Sequence, residues 1–338
     1  MQPAEPRPKR IAYQPYVVAQ AEKGYAVRMR ESLARFGTVV PWRGTWAAAI
    51  DGLRSGRGRL DCLILNWTDN DLLDRRSRRV AARKVVKLFA KTIAMRLATR
   101  RLVFVRHNVY PHAVAAGHEA DAQRWVDRYE RLFDAVVTHS GDDSQRTRLY
   151  CPHPLYRRVE AIVDSSLART LPARYFVVFG RIVRYKQLER LMTGFPVDQT
   201  LLVIGAIGDR AYADELAGID RANVLFRPGL LDEAEAQTIV ARSAGLLISH
   251  ADGDVVVSAS FFFAMSLGVP VLAVATPFLR WIAPRLGVLL ALADDLAGLC
   301  EIVADRPVVR ISNEDRAAIE QAFGDAAVHT ALRLVLAG

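Results

Sequence analysis

The sequence predicts an α/β protein of two domains, each with a parallel sheet covered by helices. Three observations carry this. The chain has 338 residues, enough for two domains at roughly 100–200 residues each. Apolar strand patterns alternate with helical patterns from end to end, the order expected of parallel sheets. Some runs, such as FVVF and PVLAVA, are apolar at every position, as in strands buried on both faces.

Taken in order, strands are expected at 10–14, 38–41, 60–66, 102–106 and 135–139, then at 175–180, 201–205, 224–227, 245–249 and 270–275. Helical patterns lie between them at 24–36, 78–98, 121–133, 186–194, 232–244 and 258–267. The apolar rhythm weakens over 157–173 and a fresh strand opens at Tyr175. The division is therefore placed between domains of 1–165 and 166–338. The last helical pattern, 314–336, is compatible with packing on either domain. The first nine residues, rich in Pro and charge, are expected to form a loose tail.

The stretch 255–279 carries no charge and is long enough to span a bilayer. Gly268-Val269-Pro270 breaks it in the middle, so a buried helix followed by a buried strand is the better reading. No charged segment followed by an apolar one marks a secretory signal. Cys62, Cys151 and Cys300 are far apart without CxxC spacing, which argues against a disulfide framework or a zinc site and fits a reducing cytoplasm.

The formal net charge is +10. That balance suits an anionic partner: nucleic acid, anionic lipid or a phosphorylated substrate. The charge is concentrated, since residues 75–101 hold eleven cations and no acid. Arg76, Arg79, Arg83, Lys87 and Lys91 share one helical face, with Val86, Phe89, Ile93 and Leu97 as an apolar stripe beside it. Such a helix suits a membrane interface; a domain helix with its stripe on the sheet and its cations in solvent is the plainer alternative.

In the second half, YFVVFGRIVRYKQLERLM ends a strand at Gly180, places Arg181 next and lets Lys186 open a helix. Ligands of parallel sheets bind beyond the carboxyl ends of strands, where two cations can clamp a diphosphate. The segment LLISHADGDVVVSASFFFAMSLGVPVLAVA ends another strand near Ser249 and introduces a helix with Ser258 and Ser260. A helix start offers free N–H groups to an anion; Ser258 either caps the helix, bonds a phosphate, or both. His250, Asp252 and Asp254 lie in the intervening loop, within reach of sugar hydroxyls or as plain loop polars. Pro228-Gly229 in NVLFRPGLLDEAEA forms a turn before a helix capped by Asp232, placed to meet a nucleotide base or to be an ordinary turn.

In the first half, LDCLILNWTDNDLLD ends a strand at Asn66-Trp67 and follows it with Asp69, Asp71 and Asp74. LVFVRHNVYPH ends a strand at Arg106 and follows it with His107, Asn108, Tyr110 and His112. Both put polar groups at strand ends.

The order strand–GR(x4)K–helix, NVxFxPG, loop–helix–xAMSLGVPV resembles the C-terminal domain of glycosyltransferases of the GT-B fold. The N-terminal segments resemble "HWPE" and "TVHNxxPHE" in bacterial exopolysaccharide glycosyltransferases, among them β-mannosyltransferases of the xanthan type. "DAVVTHS" and "CPHPLY" extend the match. The resemblance implies two facing Rossmann-like domains, with the donor bound by Gly180, Arg181, Lys186, Pro228, Gly229, His250, Asp254, Ser258 and Ser260. It implies an acceptor side with Trp67, Asn108 and His112, and catalysis by Asp69, with Asp71 and His107 behind it.

The implied substrates are a nucleotide-sugar (a GDP-sugar favoured over a UDP-sugar) and a polyprenyl-diphosphate-linked oligosaccharide. No cofactor, metal or nucleic acid is expected, and Asp252-Gly253-Asp254 is not counted as a metal diad. The enzyme is expected in the cytoplasm, peripheral on the inner face of the cell membrane, with Arg79, Arg83, Lys87 and Lys91 against anionic lipid. Two departures matter. Retaining members carry a Glu-x7-Glu pair where this chain has Val255 and Phe263, so inversion is expected. The Glu of "HWPE" falls on Asp69 and that of "PHE" on Ala113. The rivals are a nucleotide-sugar epimerase or a phosphorylase on the same fold, or a basic non-catalytic protein that binds nucleic acid or sugar.

Overall fold

The computed structural model describes residues 8–16, 23–55, 58–111, 114–142, 148–159, 166–250, 256–307, 309 and 311–337. Its described residues divide into two units, each built on a six-stranded parallel sheet.

Unit 1 comprises Met1–Pro154, Gly253–Val257 and Asp325–Gly338. Its strands are β1 (Lys9–Gln14), β2 (Gly37–Pro41), β3 (Cys62–Asn66), β4 (Leu102–Arg106), β5 (Ala135–Thr138) and β6 (Leu149–Tyr150). They stand in the order β2-β1-β3-β4-β5-β6. Its connecting helices are α1 (Lys23–Ala34), α2 (Thr45–Arg54), α3 (Ala82–Ala98) and α4 (Glu119–Glu130). β3 and β4 are buried at every position, which is why they read as unbroken apolar runs. One core layer joins Ile11, Ile64 and Val105 to Met29 and Leu33 of α1; the other joins Leu63 and Phe104 to Leu88, Val126 and Tyr129 of α3 and α4.

Unit 2 comprises Leu155–Asp252 and Ser258–Gly324. Its elements are α5 (Ser166–Thr170), β7 (Phe176–Phe179), α6 (Leu188–Gly194), β8 (Leu201–Gly205), α7 (Arg210–Ala217), β9 (Val224–Pro228), α8 (Glu233–Ala241) and β10 (Gly245–Ile248). They continue with α9 (Ala259–Leu267), β11 (Val271–Val274), α10 (Pro277–Leu286), β12 (Leu290–Ala293), α11 (Leu296–Asp305) and α12 (Asn313–Phe323). The strand order is β12-β11-β10-β7-β8-β9, so the chain reverses direction between β7 and β10. That topological switch point is where open α/β sheets hold ligands.

Several expectations need adjustment. The first and longest segment of unit 1 runs to Pro154, where the expected division was 165/166, and residues 160–165 lie outside the described ones. The terminal pattern is two helices. α12 starts at a Ser312–Asp315 capping box and belongs to unit 2, whereas α13 (Asp325–Leu336) belongs to unit 1. Between them Gly324 is extended, and a Cβ there would meet the Glu320 carbonyl oxygen at 2.5 Å. β6 and β12 had no separate expectation; β6 is only two residues long, too short for periodicity.

The basic helix starts at Ala82 and not at 78, because Asp74 organises a turn instead. Its carboxylate accepts from the amides of Arg76 and Ser77 and pairs with Arg83 at 2.6 Å. Arg78 is left-handed at φ 53, which no helix interior accommodates. Arg76 and Arg79 therefore sit on the turn and not on the helical face assigned to them. The apolar stretch from 255 resolves into α9 and β11, with left-handed Gly268 closing the helix. No described helix is long and apolar enough to cross a membrane.

Candidate functional site

In unit 2 the polar residues gather at the carboxyl ends of the strands flanking the switch point. β7 delivers Gly180, followed by a 3-10 turn over Arg184–Lys186. β10 delivers Ser249 and His250. Ser249 is buried, and its hydroxyl donates to the Lys186 carbonyl oxygen, tying the turn to β10. Ser260, in the first turn of α9, donates to the Phe179 carbonyl oxygen at 2.8 Å and ties the helix start to the end of β7.

Gly180 has φ 126, a conformation that L side chains rarely adopt. A Cβ built there would lie 3.1 Å from Lys186 Nζ and 3.0 Å from Ser260 Oγ. The absent side chain thus leaves a space onto which an amine and a hydroxyl converge. Gly205 ends the neighbouring strand, and a Cβ on it would meet the Gly180 carbonyl oxygen. Gly229 follows β9 and donates its amide to the Gly205 carbonyl oxygen at 2.9 Å. Gly180, Gly205 and Pro228-Gly229 therefore end three adjacent strands with bare backbone.

Lys186 is only 7% exposed. Burial, and after it the charge of nearby Arg181, pushes its amine down from 10.5 to about 8. No carboxylate among the described residues offsets that charge. Charged groups are rarely buried without a partner, because desolvation opposes the charge. Arg181 itself is exposed. Ser258 occupies the N-cap position of α9, yet its side chain makes no cap hydrogen bond. The amides of Ala259 and Ser260, the first two of α9, are thus not capped by that side chain, whereas the Phe261 amide donates to the Ser258 carbonyl oxygen at 3.1 Å. His250 is buried with its ring edge-on to Tyr185, centroids 5.1 Å apart. Phe263, where retaining enzymes of the resembled group carry Glu, is buried and stacked on Phe179 at 4.6 Å, so it presents no oxygen. Asp252, Asp254 and Val255 lie outside the described residues.

In unit 1 the strand ends bring together Asn66, Trp67, His107, His139 and the helix residue Tyr25. Asn66 Nδ2 donates to the Gln14 carbonyl oxygen at 3.1 Å, which turns Oδ1 towards His107. Oδ1 lies 3.0 Å from His107 Nε2 and so accepts from it, placing a proton on Nε2. Trp67, held left-handed at φ 54, stacks on His107 with centroids 4.4 Å apart. Behind them His139 Nδ1 donates to the Cys151 carbonyl oxygen at 2.8 Å, and its Nε2 accepts from the Tyr25 hydroxyl at 2.9 Å. Burial lowers His139 to about 4 and His153 well below its ordinary value, so both are neutral. Val256 donates its amide to the His107 carbonyl oxygen at 3.3 Å.

The expected carboxylates separate. Asp69 lies on the 3-10 turn Thr68–Leu72, is 3% exposed and acts on the Tyr129 phenol, which burial raises to about 12 with Asp69 and Asp71 adding to it. Asp71 is exposed and stands 4.0 Å from Lys91. Asn108 is buried, and its carbonyl oxygen accepts from Arg106 Nε at 3.0 Å. Arg106 is also buried and pairs with Asp127 and Glu130, both at 2.8 Å. Its role is to hold this loop. His112 lies outside the described residues. Sequence reasoning passed over Asn66, Tyr25 and Ser249. Asn66 and Ser249 were legible as polar residues closing apolar strands; Tyr25 looked like any helix-face aromatic.

No family model matches the chain, and no curated protein matches it. Solved structures do. AviGT4, a glycosyltransferase involved in avilamycin A biosynthesis, matches at 15% identity over 97% of each chain with a TM-score of 0.55. A UDP-forming α,α-trehalose-phosphate synthase from Burkholderia xenovorans, in complex with glucose-6-phosphate, matches at 12% identity over 97% of this chain and 100% of its own, TM-score 0.61. A putative UDP-N-acetylglucosamine 2-epimerase from Listeria monocytogenes matches at 10% identity over 98% and 95%, TM-score 0.51. The chain thus has the α/β fold of two Rossmann-like domains found in GT-B glycosyltransferases. The same fold serves transferases and an epimerase, so the site must decide the chemistry.

Proposed function

We propose that the chain is a glycosyltransferase using a nucleotide-sugar donor, whose diphosphate is held by Lys186, Arg181 and the amides opening α9. The observation that carries this is the buried amine of Lys186, with no carboxylate partner among the described residues, converging with Ser260 on the space above Gly180 at the switch point of unit 2. A buried cation facing bare backbone and a helix start is built for an anion. In sugar transfer that anion is the leaving group, and neutralising it as its bond to the sugar breaks lowers the barrier. Pro228-Gly229 is assigned to the base, and His250 with Asp254 to the donor sugar.

Transfer also requires a base for the acceptor hydroxyl. Asp69 and His107 are the candidates. His107 has its Nε2 proton anchored on Asn66, which fixes the orientation of its ring. Asp71 is drawn towards Lys91 and is the weaker choice. Trp67 lies against His107 and supplies an apolar face for an acceptor sugar. With Phe263 in place of a carboxylate, the reading is inverting transfer without a metal. The donor is a GDP-sugar before a UDP-sugar, carrying mannose or another hexose. The acceptor is a polyprenyl-diphosphate-linked glycan in exopolysaccharide assembly, met on the inner face of the cell membrane.

The test is a thermal-shift panel of GDP-, UDP- and dTDP-sugars, followed by transfer to a lipid-linked acceptor. Stabilisation by one nucleotide, lost in Lys186→Met, supports the reading. Conversion of the sugar without an acceptor replaces transfer by epimerisation. No response to any nucleotide rejects the donor site.

A further inference from the structure

Two helices of unit 1 carry apolar residues that the unit does not bury. α3 buries Val85, Leu88, Thr92 and Met95, and leaves Val86, Ile93 and Leu97 exposed. α2 buries Ala48 and Gly52, and leaves Trp46, Ile50 and Leu53 exposed. At about 100° per residue, each exposed trio forms one face opposite the buried one. The exposure is extreme: Trp46 is 84%, Leu53 82% and Leu97 72% accessible. α2 and α3 pack on each other and bury their inner residues in the same core layer, so their outer faces open on the same side of the sheet. The other exposed large hydrophobics described in unit 1, Leu149 and Leu334, lie on neither helix. Contiguous exposed apolar surface of this kind marks an interaction site.

The surrounding charge selects the occupant. Arg83, Lys87 and Lys91 are exposed on α3; Asp74 pairs with Arg83 and Asp71 stands 4.0 Å from Lys91, while residues 75–101 themselves contain eleven cations and no acid. A second copy would bring the same cations face to face. An anionic bilayer meets them with opposite charge and receives the tryptophan at the headgroup level and the aliphatic chains just below it. We propose that the outer faces of α2 and α3 together form a docking surface for an anionic lipid bilayer. It joins two separate sequence segments, so the protein lies on the membrane without spanning it. This deepens the lipid-linked acceptor reading, and its test needs neither nucleotide nor acceptor.

The full chain is floated with vesicles of phosphatidylcholine, alone or mixed with phosphatidylglycerol. It should float with the mixed vesicles and much less with the neutral ones. Trp46→Ser with Leu53→Ser, and separately Ile93→Ser with Leu97→Ser, should each lower binding more than about tenfold. Lys87→Ala with Lys91→Ala should weaken binding to the mixed vesicles by about fivefold per cation. All these side chains are exposed, so the far-ultraviolet circular dichroism and nucleotide affinity should match the parent. Parent protein that stays unbound, or α2 variants that bind as well as the parent, overturn the proposal. So does a fall in oligomer mass by light scattering in the serine variants with vesicle binding intact, which would make this face a contact between copies. Loss of vesicle binding with unchanged nucleotide affinity separates this surface from the donor site.

Discussion

Replacing Lys186 by methionine should make the protein more stable and less able to bind its ligand. The amine sits at about 8 in the folded chain against an ordinary 10.5, first because it is buried and then because Arg181 is near. Between those two values the unfolded chain holds a proton that the folded chain has released. Unfolding then takes up a proton, so stability rises with pH through this window. Below about pH 8 the folded protein carries the buried charge and the full penalty. At about 1.4 kcal/mol per pH unit, the gap from 10.5 to about 8 is on the order of 3 kcal/mol. Methionine keeps the length and apolar stem without the charge. At neutral pH, Lys186→Met should therefore raise stability by up to about 3 kcal/mol, or roughly 5–10 °C for a unit of this size. The gain should shrink above about pH 8 and vanish past 10.5.

The same substitution removes a charge-assisted contact worth about 1.5–3 kcal/mol. Nucleoside diphosphate affinity should drop roughly tenfold to a hundredfold. In the parent, affinity should itself decline above about pH 8, as the free protein loses the proton the diphosphate needs. Differential scanning fluorimetry from neutral to alkaline pH, with calorimetric titration of GDP and UDP, measures both arms. A variant that is less stable at neutral pH yet binds nucleotide like the parent would refute the reasoning, because the amine would then serve the fold.

Gly180→Ala puts a methyl group 3.1 Å from Lys186 Nζ and 3.0 Å from Ser260 Oγ at φ 126, so it should destabilise unit 2 by at least about 1 kcal/mol and abolish nucleotide binding in the same titration. Asn66→Ala should lower kcat about tenfold or more with the donor KM retained, and the double variant with His107→Ala should be no worse than His107→Ala alone. If the two losses multiply instead, Asn66 does not act through His107. Asp69→Asn tests the other base candidate: kcat falls by at least about a hundredfold if the carboxylate takes the proton, and stays within a few-fold if it is a buried structural group. Transfer should persist in EDTA; loss restored by Mg²⁺ or Mn²⁺ would replace the metal-free reading.

The cluster of polar residues at the switch point of unit 2 was legible because the features that create it are local. An apolar run closed by glycine and two cations is visible in a dozen residues, and the strand carboxyl end is where a parallel sheet holds its ligands. The cluster at the strand ends of unit 1 was less legible. Asp69, Asp71 and His107 look equivalent in sequence, each just past a strand. In the fold Asp69 is buried, Asp71 leans towards Lys91 and His107 is fixed by Asn66 from a neighbouring strand. Those differences depend on partners distant along the chain.

By itself, the sequence determined that the chain folds as parallel sheets wrapped in helices, because strands buried on both faces and amphipathic helices leave distinct short-range periodicities. Tertiary structure decided which face of each helix meets the sheet. In α3 two apolar sets recur at helical spacing, and only packing against the sheet and its neighbouring helices shows that Val85, Leu88 and Met95 go inward while Val86, Ile93 and Leu97 stay out. Tertiary structure also decided that Lys186 is buried, with no carboxylate partner among the described residues. A side chain's solvation depends on everything folded around it, and that is not written in its neighbours along the chain.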